Sequence, residues 1–180
     1  MRWLPYFILA YIAVAVQIGV APFVAYHGAA PNLVLLAVIY IAVNAPRNAA
    51  LIGCFAIGFM QDLVTQQPPG LFAFSYGLVA LFVVATQTVV YKGHPLTHFT
   101  LALFGGLITA AVLLTHALVR PAAPHVKDGS IILPPIRLGT TVALEIVLYT
   151  AILAPFVLGV LQRLKGVFGF QPVRRKARFF

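Results

Sequence analysis

Long apolar runs separated by short polar stretches limit what this chain can fold into. The runs recur from Trp3 to Leu161. A helix needs about 20 apolar residues to cross a hydrocarbon layer roughly 30 Å thick, so 180 residues can hold about six such helices. Only 8% of the residues are charged, whereas soluble domains have about a quarter, so the outer surface must face lipid. We predict an all-α integral membrane protein, a bundle of about six transmembrane helices, with one transmembrane domain over 1–165 and a basic cytoplasmic tail over 166–180.

Polar residues and prolines place the boundaries of the predicted helices. The spans are Trp3–Phe23, Pro31–Ala45, Pro46–Thr65, Leu71–Tyr91, His98–Val119 and Leu138–Leu161. The second span would be only about 22 Å long as a helix, shorter than the hydrocarbon layer. Either the membrane thins around it, or neighbouring helices cover it and it does not fully cross. The long segment 120–137 contains four prolines and is predicted to be extended.

Lysine and arginine are distributed unevenly over the predicted loops. With both termini on one side, nine of the twelve basic residues lie on that side. Cytoplasmic loops accumulate these residues, so we predict cytoplasmic N- and C-termini. The basic residues of the tail act first as a topology signal, and they predict binding to anionic lipids rather than to nucleic acid. A protein-docking role for the tail is the weaker alternative.

Two acids lie within or beside the predicted spans. An ionisable side chain is costly inside a membrane, so Asp62 and Glu145 need compensation. The predicted topology brings them to the level of His116, Arg120 and Arg137, so a polar cluster on the outward half of the bundle is one hypothesis. The alternative is that each acid is neutralised or hydrogen-bonded locally. A metal or proton site from the same residues is a weaker hypothesis, because they follow no ligand-spacing motif.

Small residues recur at four-residue spacing, as at Gly58 and Gly106 with their partners Cys54 and Ala110. Such pairs allow helices to approach closely, and packing within the chain is the first interpretation, with a partner's helix second. The sequence contains no zinc-protease, nucleophile-elbow, P-loop or dinucleotide-binding motif. We therefore predict a non-catalytic protein without a cofactor or metal.

One set of residues in the segment Ala30–Val83 has an order and spacing typical of a known family. They are Pro31, Asn32, Tyr40, Pro46, Arg47, Gly58, Asp62, Leu63, Gly70 and Leu71. In these features the segment resembles rod shape-determining protein MreD. The resemblance implies a subunit of the bacterial cell-elongation machinery in the inner membrane. It implies MreC as partner, with MreB, RodA and a class B penicillin-binding protein as further partners.

The same family is similar in fold to the substrate-binding membrane subunits of energy-coupling-factor transporters, which gives an alternative function in binding a small molecule. Such a pocket needs convergent polar groups and stacking aromatics, whereas the polar residues of the predicted spans are scattered along the sequence. The scattered residues are Trp3, Gln17, Asp62, Gln87 and Glu145. The candidate structural or partner-contact residues are Pro31, Asn32, Pro46, Gly58, Asp62, Gly70, Gly106, His116 and Glu145.

Overall fold

A computed structural model describes residues 4–26, 29–65, 68–86, 95–119, 125–127, 130–132 and 136–164. Within them the α-helices are α1 (Leu4–Val20), α2 (Leu33–Asn44), α3 (Arg47–Thr65), α4 (Leu71–Thr86), α5 (Pro95–Val119) and α6 (Ile136–Arg163). A 3-10 helix (Ala21–Val24) follows α1. Two short antiparallel strands, β1 (His125–Lys127) and β2 (Ser130–Ile132), lie between α5 and α6, where extended chain was predicted.

The predicted all-α membrane protein is confirmed. In the part of the chain that the structure describes, three stretches are long and apolar enough to cross a membrane, namely α3, α5 and the part of α6 over Gly139–Arg163. The helices α1, α2 and α4 are shorter, with 17, 12 and 16 residues. The fourth predicted span is helical as far as Thr86, and the rest of it lies outside the described residues, as does the tail 166–180.

The short second helix lies at the centre of the bundle. Every residue of α2 from Val34 to Asn44 is buried, and the helix packs against α1, α3, α4, α5 and α6. A helix that is apolar all round is stable where neighbours cover it on every side. Of the two explanations offered for its length of about 18 Å, the structure supports coverage by neighbouring helices.

Hydrogen bonds between helix ends show how the chain runs through the bundle. The end of α1 bonds to the start of α2 through Gln17, and the end of α3 bonds to the start of α4 through Asp62. The start of α5 bonds to the end of α6 through His98 and Gln162. Each of these pairs is therefore antiparallel. We call the end where α1, α3 and α5 finish, and α2, α4 and α6 begin, the capped end.

Candidate functional site

The carboxylate of Asp62 caps the start of α4. Its Oδ1 accepts the N–H of Phe72 at 2.8 Å, and its Oδ2 accepts those of Gly70 at 2.9 Å and Ala73 at 3.2 Å. The first N–H groups of a helix have no partner within it, and a negative charge there complements the helix dipole. Asp62 is only 1% exposed, so these three bonds compensate its burial.

Two glycines shape this contact between α3 and α4. A Cβ on Gly58 would lie 2.5 Å from the carbonyl oxygen of Phe72 and 2.6 Å from the Cα of Ala73. Gly58 is one helical turn before Asp62, so its lack of a side chain brings the first turn of α4 within reach of the carboxylate. Gly70 has a φ of 100°, in the left-handed region that glycine adopts without strain.

Asn32 connects α2 to three other helices. Its Oδ1 accepts the N–H of Leu35 at 2.9 Å and so caps α2. Its Nδ2 donates to the hydroxyl of Tyr76 at 3.0 Å, and that hydroxyl donates to Oε1 of Gln61 at 2.7 Å. The backbone N–H of Asn32 donates to Oγ1 of Thr150 at 2.9 Å. Asn32 therefore links α2 to α4 through its side chain, to α6 through its backbone N–H, and to α3 through the hydroxyl of Tyr76.

Gln17 attaches α1 to the same region. Its Oε1 accepts the N–H of Leu33 at 2.6 Å, and its Nε2 donates to the carbonyl of Pro31 at 3.1 Å. Pro31 is buried, and without Gln17 these backbone groups would lose their partner in a largely apolar setting. We call Gln17, Asn32, Gln61, Tyr76 and Thr150 the polar network.

A cavity of about 290 Å³ lies beside the polar network at the capped end. Gln17, Asn32, Gln61 and Thr109 form its polar part, and its apolar walls come mainly from α5 and α6. Four polar side chains from separate parts of the sequence thus converge on one space, which their scattered distribution along the chain did not predict. Among the described residues, Phe72 is the only aromatic one in the lining, and it faces Tyr76 with 5.7 Å between ring centroids.

The predicted cluster of Asp62, His116 and Glu145 is wrong for the described residues. Asp62 is buried against α4, whereas Glu145 is exposed and His116 is partly exposed. The helices that carry the two acids, α3 and α6, are not among the packed helix pairs in the described part of the chain. Glu145 precedes the buried Val147 by two residues, about 200° around the helix, so it points away from the bundle. The side chains of Arg120 and Arg137 lie outside the described residues.

Local hydrogen bonding, the alternative for each acid, is confirmed for Asp62. In the described ranges no group of three or more His, Cys, Asp or Glu side chains is placed to hold a metal ion.

The small residues serve packing inside the chain. A Cβ on Gly106 would lie 3.0 Å from Cγ1 of Val147 on α6, just as Gly58 faces α4. Gly58 and Gly106 therefore pack within the chain, as the first interpretation of these positions predicts. Pro46 is exposed at the turn between α2 and α3, where its carbonyl accepts the N–H of Ala50 at 2.8 Å.

The structure leaves an apolar groove on the surface between α3 and α4, with a volume of about 420 Å³. We call it the α3–α4 groove. Its residues are Leu51, Ile52, Phe55, Phe74, Gly77, Leu78 and Leu81. A smaller groove of about 240 Å³ lies on the other side of Ile52, between α1 and α3.

Sequence comparison identifies the family. The family model described as rod shape-determining protein MreD matches residues 1–164, which include all six described α-helices, the Asp62 cap and the polar network. No curated protein and no solved structure matches the chain, so its similarity in fold to energy-coupling-factor transporter subunits stays a prediction. Because the match covers nearly the whole chain, this protein belongs to the MreD family of rod shape-determining membrane proteins.

Proposed function

We propose that this protein is a non-catalytic subunit of the cell-elongation machinery in the bacterial inner membrane, that it binds MreC, and that it helps to couple MreB filaments to peptidoglycan synthesis. The family match over residues 1–164 is the observation that carries the proposal, because it supports a role in determining rod shape. RodA and a class B penicillin-binding protein are proposed as further partners in the same assembly. The proposed role of the basic tail is to bind anionic lipids.

The polar groups in the bundle hold helices together, which supports a role for the protein as a non-catalytic scaffold. Both carboxylate oxygens of Asp62 accept backbone N–H groups, and Asn32 bonds to α4 through its side chain and to α6 through its backbone N–H. An acid or base in catalysis would need a proton-transfer partner within reach of a substrate, whereas Asp62 is 1% exposed. These groups fix helix positions and so present a rigid outer surface to a partner.

The α3–α4 groove is the surface that we propose for a transmembrane helix of MreC. Helices in lipid associate through close packing at small residues, because lipid is as apolar as the side chains. Gly77 offers such a position, with aromatic residues of both helices beside it: a Cβ there would lie 3.8 Å from the ring of Phe55, in ordinary contact. A larger side chain would therefore fill the groove while leaving the α3–α4 packing intact.

Co-purification from native membranes tests this proposal. Gly77→Leu is expected to lower the amount of recovered MreC about tenfold, because a loss of about 1.4 kcal/mol of binding free energy has that effect. Gly159→Leu is the matched control, since a Cβ there meets nothing within 4 Å and the position lies on α6. Both variants should accumulate like the wild type.

Normal recovery of MreC with Gly77→Leu would reject the groove as its site. Failure of the wild-type protein to recover MreC would reject the proposed function itself. Recovery of a transporter ATPase in its place would favour the alternative of a small-molecule-binding subunit.

The proposed orientation places both termini in the cytoplasm, and cysteine labelling from outside the cell tests it. The arrangement of antiparallel helix pairs supports this orientation, because exposed Arg47 and Arg163 then belong to the end opposite the capped end. The variant Cys54→Ala serves as a cysteine-free background for the labelling. Because Cys54 is buried, this substitution leaves the exposed surface unchanged. A cysteine replacing Gly129 should react with a membrane-impermeant reagent, and one replacing Ala177 should not. Labelling at Ala177 in intact cells would contradict the orientation.

A further inference from the structure

The cavity at the capped end contains an amide nitrogen that has no hydrogen-bond partner among the described residues. Gln61 is 6% exposed and lines the cavity, and its Oε1 accepts the hydroxyl of Tyr76. Its Nε2 donates to none of the described residues. An amide nitrogen that can donate two hydrogen bonds and is left unsatisfied in an apolar surrounding costs free energy. The cavity therefore favours an occupant that offers an acceptor.

Donors exceed acceptors in the polar part of this cavity. The Nε2 of Gln17 and the Nδ2 of Asn32 each use one hydrogen in a bond within the protein, and each carries a second. The hydroxyl of Thr109 donates to the carbonyl of Gly105 at 2.9 Å. Among the described residues, none in the lining is charged. The arrangement thus favours a neutral oxygen acceptor over a phosphate or a carboxylate, which would need a cation.

The polar part lies close to the ends of the short helices. Gln17 is three residues before the end of α1, Gln61 is four residues before the end of α3, and Asn32 immediately precedes α2. At 1.5 Å per residue these side chains are within about 6 Å of helix ends. On the two long helices the cavity lies farther from the ends, since Thr109 is ten residues before the end of α5 and Ala143 is seven residues after the start of α6. Its largely apolar walls at this depth favour a ligand that carries both a neutral carbonyl and an acyl chain, as the ester groups of a membrane lipid do.

We propose that this cavity binds a diacyl membrane lipid through its ester carbonyl oxygens. The amide nitrogen of Gln61 donates to one of these carbonyls, with the amides of Gln17 and Asn32 beside it, and an acyl chain lies along the apolar wall that includes Leu113 and Ile146. A volume of about 290 Å³ is small for a pocket that encloses a whole ligand, so it takes the glycerol-ester region and the first part of one chain. The remainder of the lipid stays in the bilayer. This binding is independent of the proposed MreC interaction.

Lipid titration of the delipidated full-length protein, followed by native mass spectrometry, tests the proposal. The two probes are ester-linked phosphatidylglycerol and its ether-linked analogue with the same headgroup and chains, which lacks the carbonyl oxygens. The ester lipid should bind about fivefold more tightly, since that is the effect of one neutral hydrogen bond. Equal affinities would overturn the proposal and would indicate only adventitious lipid around the bundle.

Two substitutions locate the binding in the cavity. Ala143→Leu fills the cavity and should weaken binding of the ester lipid about tenfold, whereas Ala111→Leu, on the exposed face of α5, should leave it unchanged. Gln61→Met removes the donor with little change in side-chain volume, and it should make the ester and ether lipids bind alike. Wild-type lipid affinity in folded Ala143→Leu would overturn the site. If Ala143→Leu does not fold, a retained ester preference in Gln61→Met would overturn it as well.

Discussion

The α3–α4 pair and the α5–α6 pair are both antiparallel, and in each pair a glycine allows close packing of the two helices. The two glycines face different kinds of atoms. Gly58 on α3 faces the backbone of Phe72 and Ala73, at the turn that Asp62 caps. For Gly106 on α5, the three atoms nearest to a Cβ all belong to the side chain of Val147. A side chain can shift by a few tenths of an ångström within its rotamer, whereas the backbone of a capped first turn can move only by losing hydrogen bonds. The same spacing of small residues thus produces a rigid pair in one place and an adjustable pair in the other.

Alanine at the two glycines should give the largest difference between the pairs. Gly58→Ala should lower the free energy of unfolding by about 3 kcal/mol, at the upper end of the range for overpacking, because the new Cβ meets backbone at 2.5 Å. Gly106→Ala should cost about 1 kcal/mol or less, since Val147 can yield and alanine favours the helix by about 1 kcal/mol. Unfolding in mixed micelles with increasing SDS measures both. Equal losses would show that the two pairs are equally rigid.

Neutralising the two acids should give the next largest difference. Asp62→Asn should cost about 2 kcal/mol, because the amide replaces one acceptor oxygen and the hydrogen bonds lose their charged partner. Glu145→Gln should change stability by less than about 0.5 kcal/mol, since that side chain is exposed. The double variant should lose the sum of the two to within about 0.5 kcal/mol, as distant sites do. Clear non-additivity would restore the predicted cluster of the two acids.

The polar network should give the smallest effect. Thr150→Val keeps the side-chain shape but leaves the N–H of Asn32 without its acceptor, and it should cost about 0.6 kcal/mol, the average for such bonds in a membrane protein. Thr115→Val is the control, because that hydroxyl is exposed and bonds only within its own helix, to Ala111. The same SDS titration compares them. If the two substitutions cost the same, the bond to Asn32 contributes nothing to the packing of α2 on α6.

The apolar runs of the sequence predicted most of the fold, because helix length and hydropathy are local properties. The polar turn before Leu71 and the breaker at Pro46 placed the starts of α4 and α3 to within one residue. The sequence does not decide whether α2 is short because the membrane thins or because neighbouring helices cover it. Coverage by neighbours depends on the positions of all the other helices. Periodicity could not resolve it, because a helix apolar on every face has no preferred side.

The candidate site was predicted only in part. Asp62 was identified as an acid in need of compensation, but its partners are backbone N–H groups, which have no signature in the sequence. Gln61, Tyr76 and Thr150 were missed, because each is a single polar residue in an apolar run and only the fold brings them to Asn32. A buried polar group without a partner is unfavourable in a membrane. The presence of these polar residues in apolar runs therefore indicates that each has a hydrogen-bond partner in the fold.

Photo-crosslinking in cells tests most directly the central claim that MreC binds on the α3–α4 face. A photoreactive amino acid would replace Leu81 in the groove, which is 47% exposed, or Leu148 on α6, which is 52% exposed and serves as the matched control. We expect a crosslink to the transmembrane helix of MreC from position 81 and none from position 148. A crosslink to MreC from position 148 with none from position 81 would contradict it.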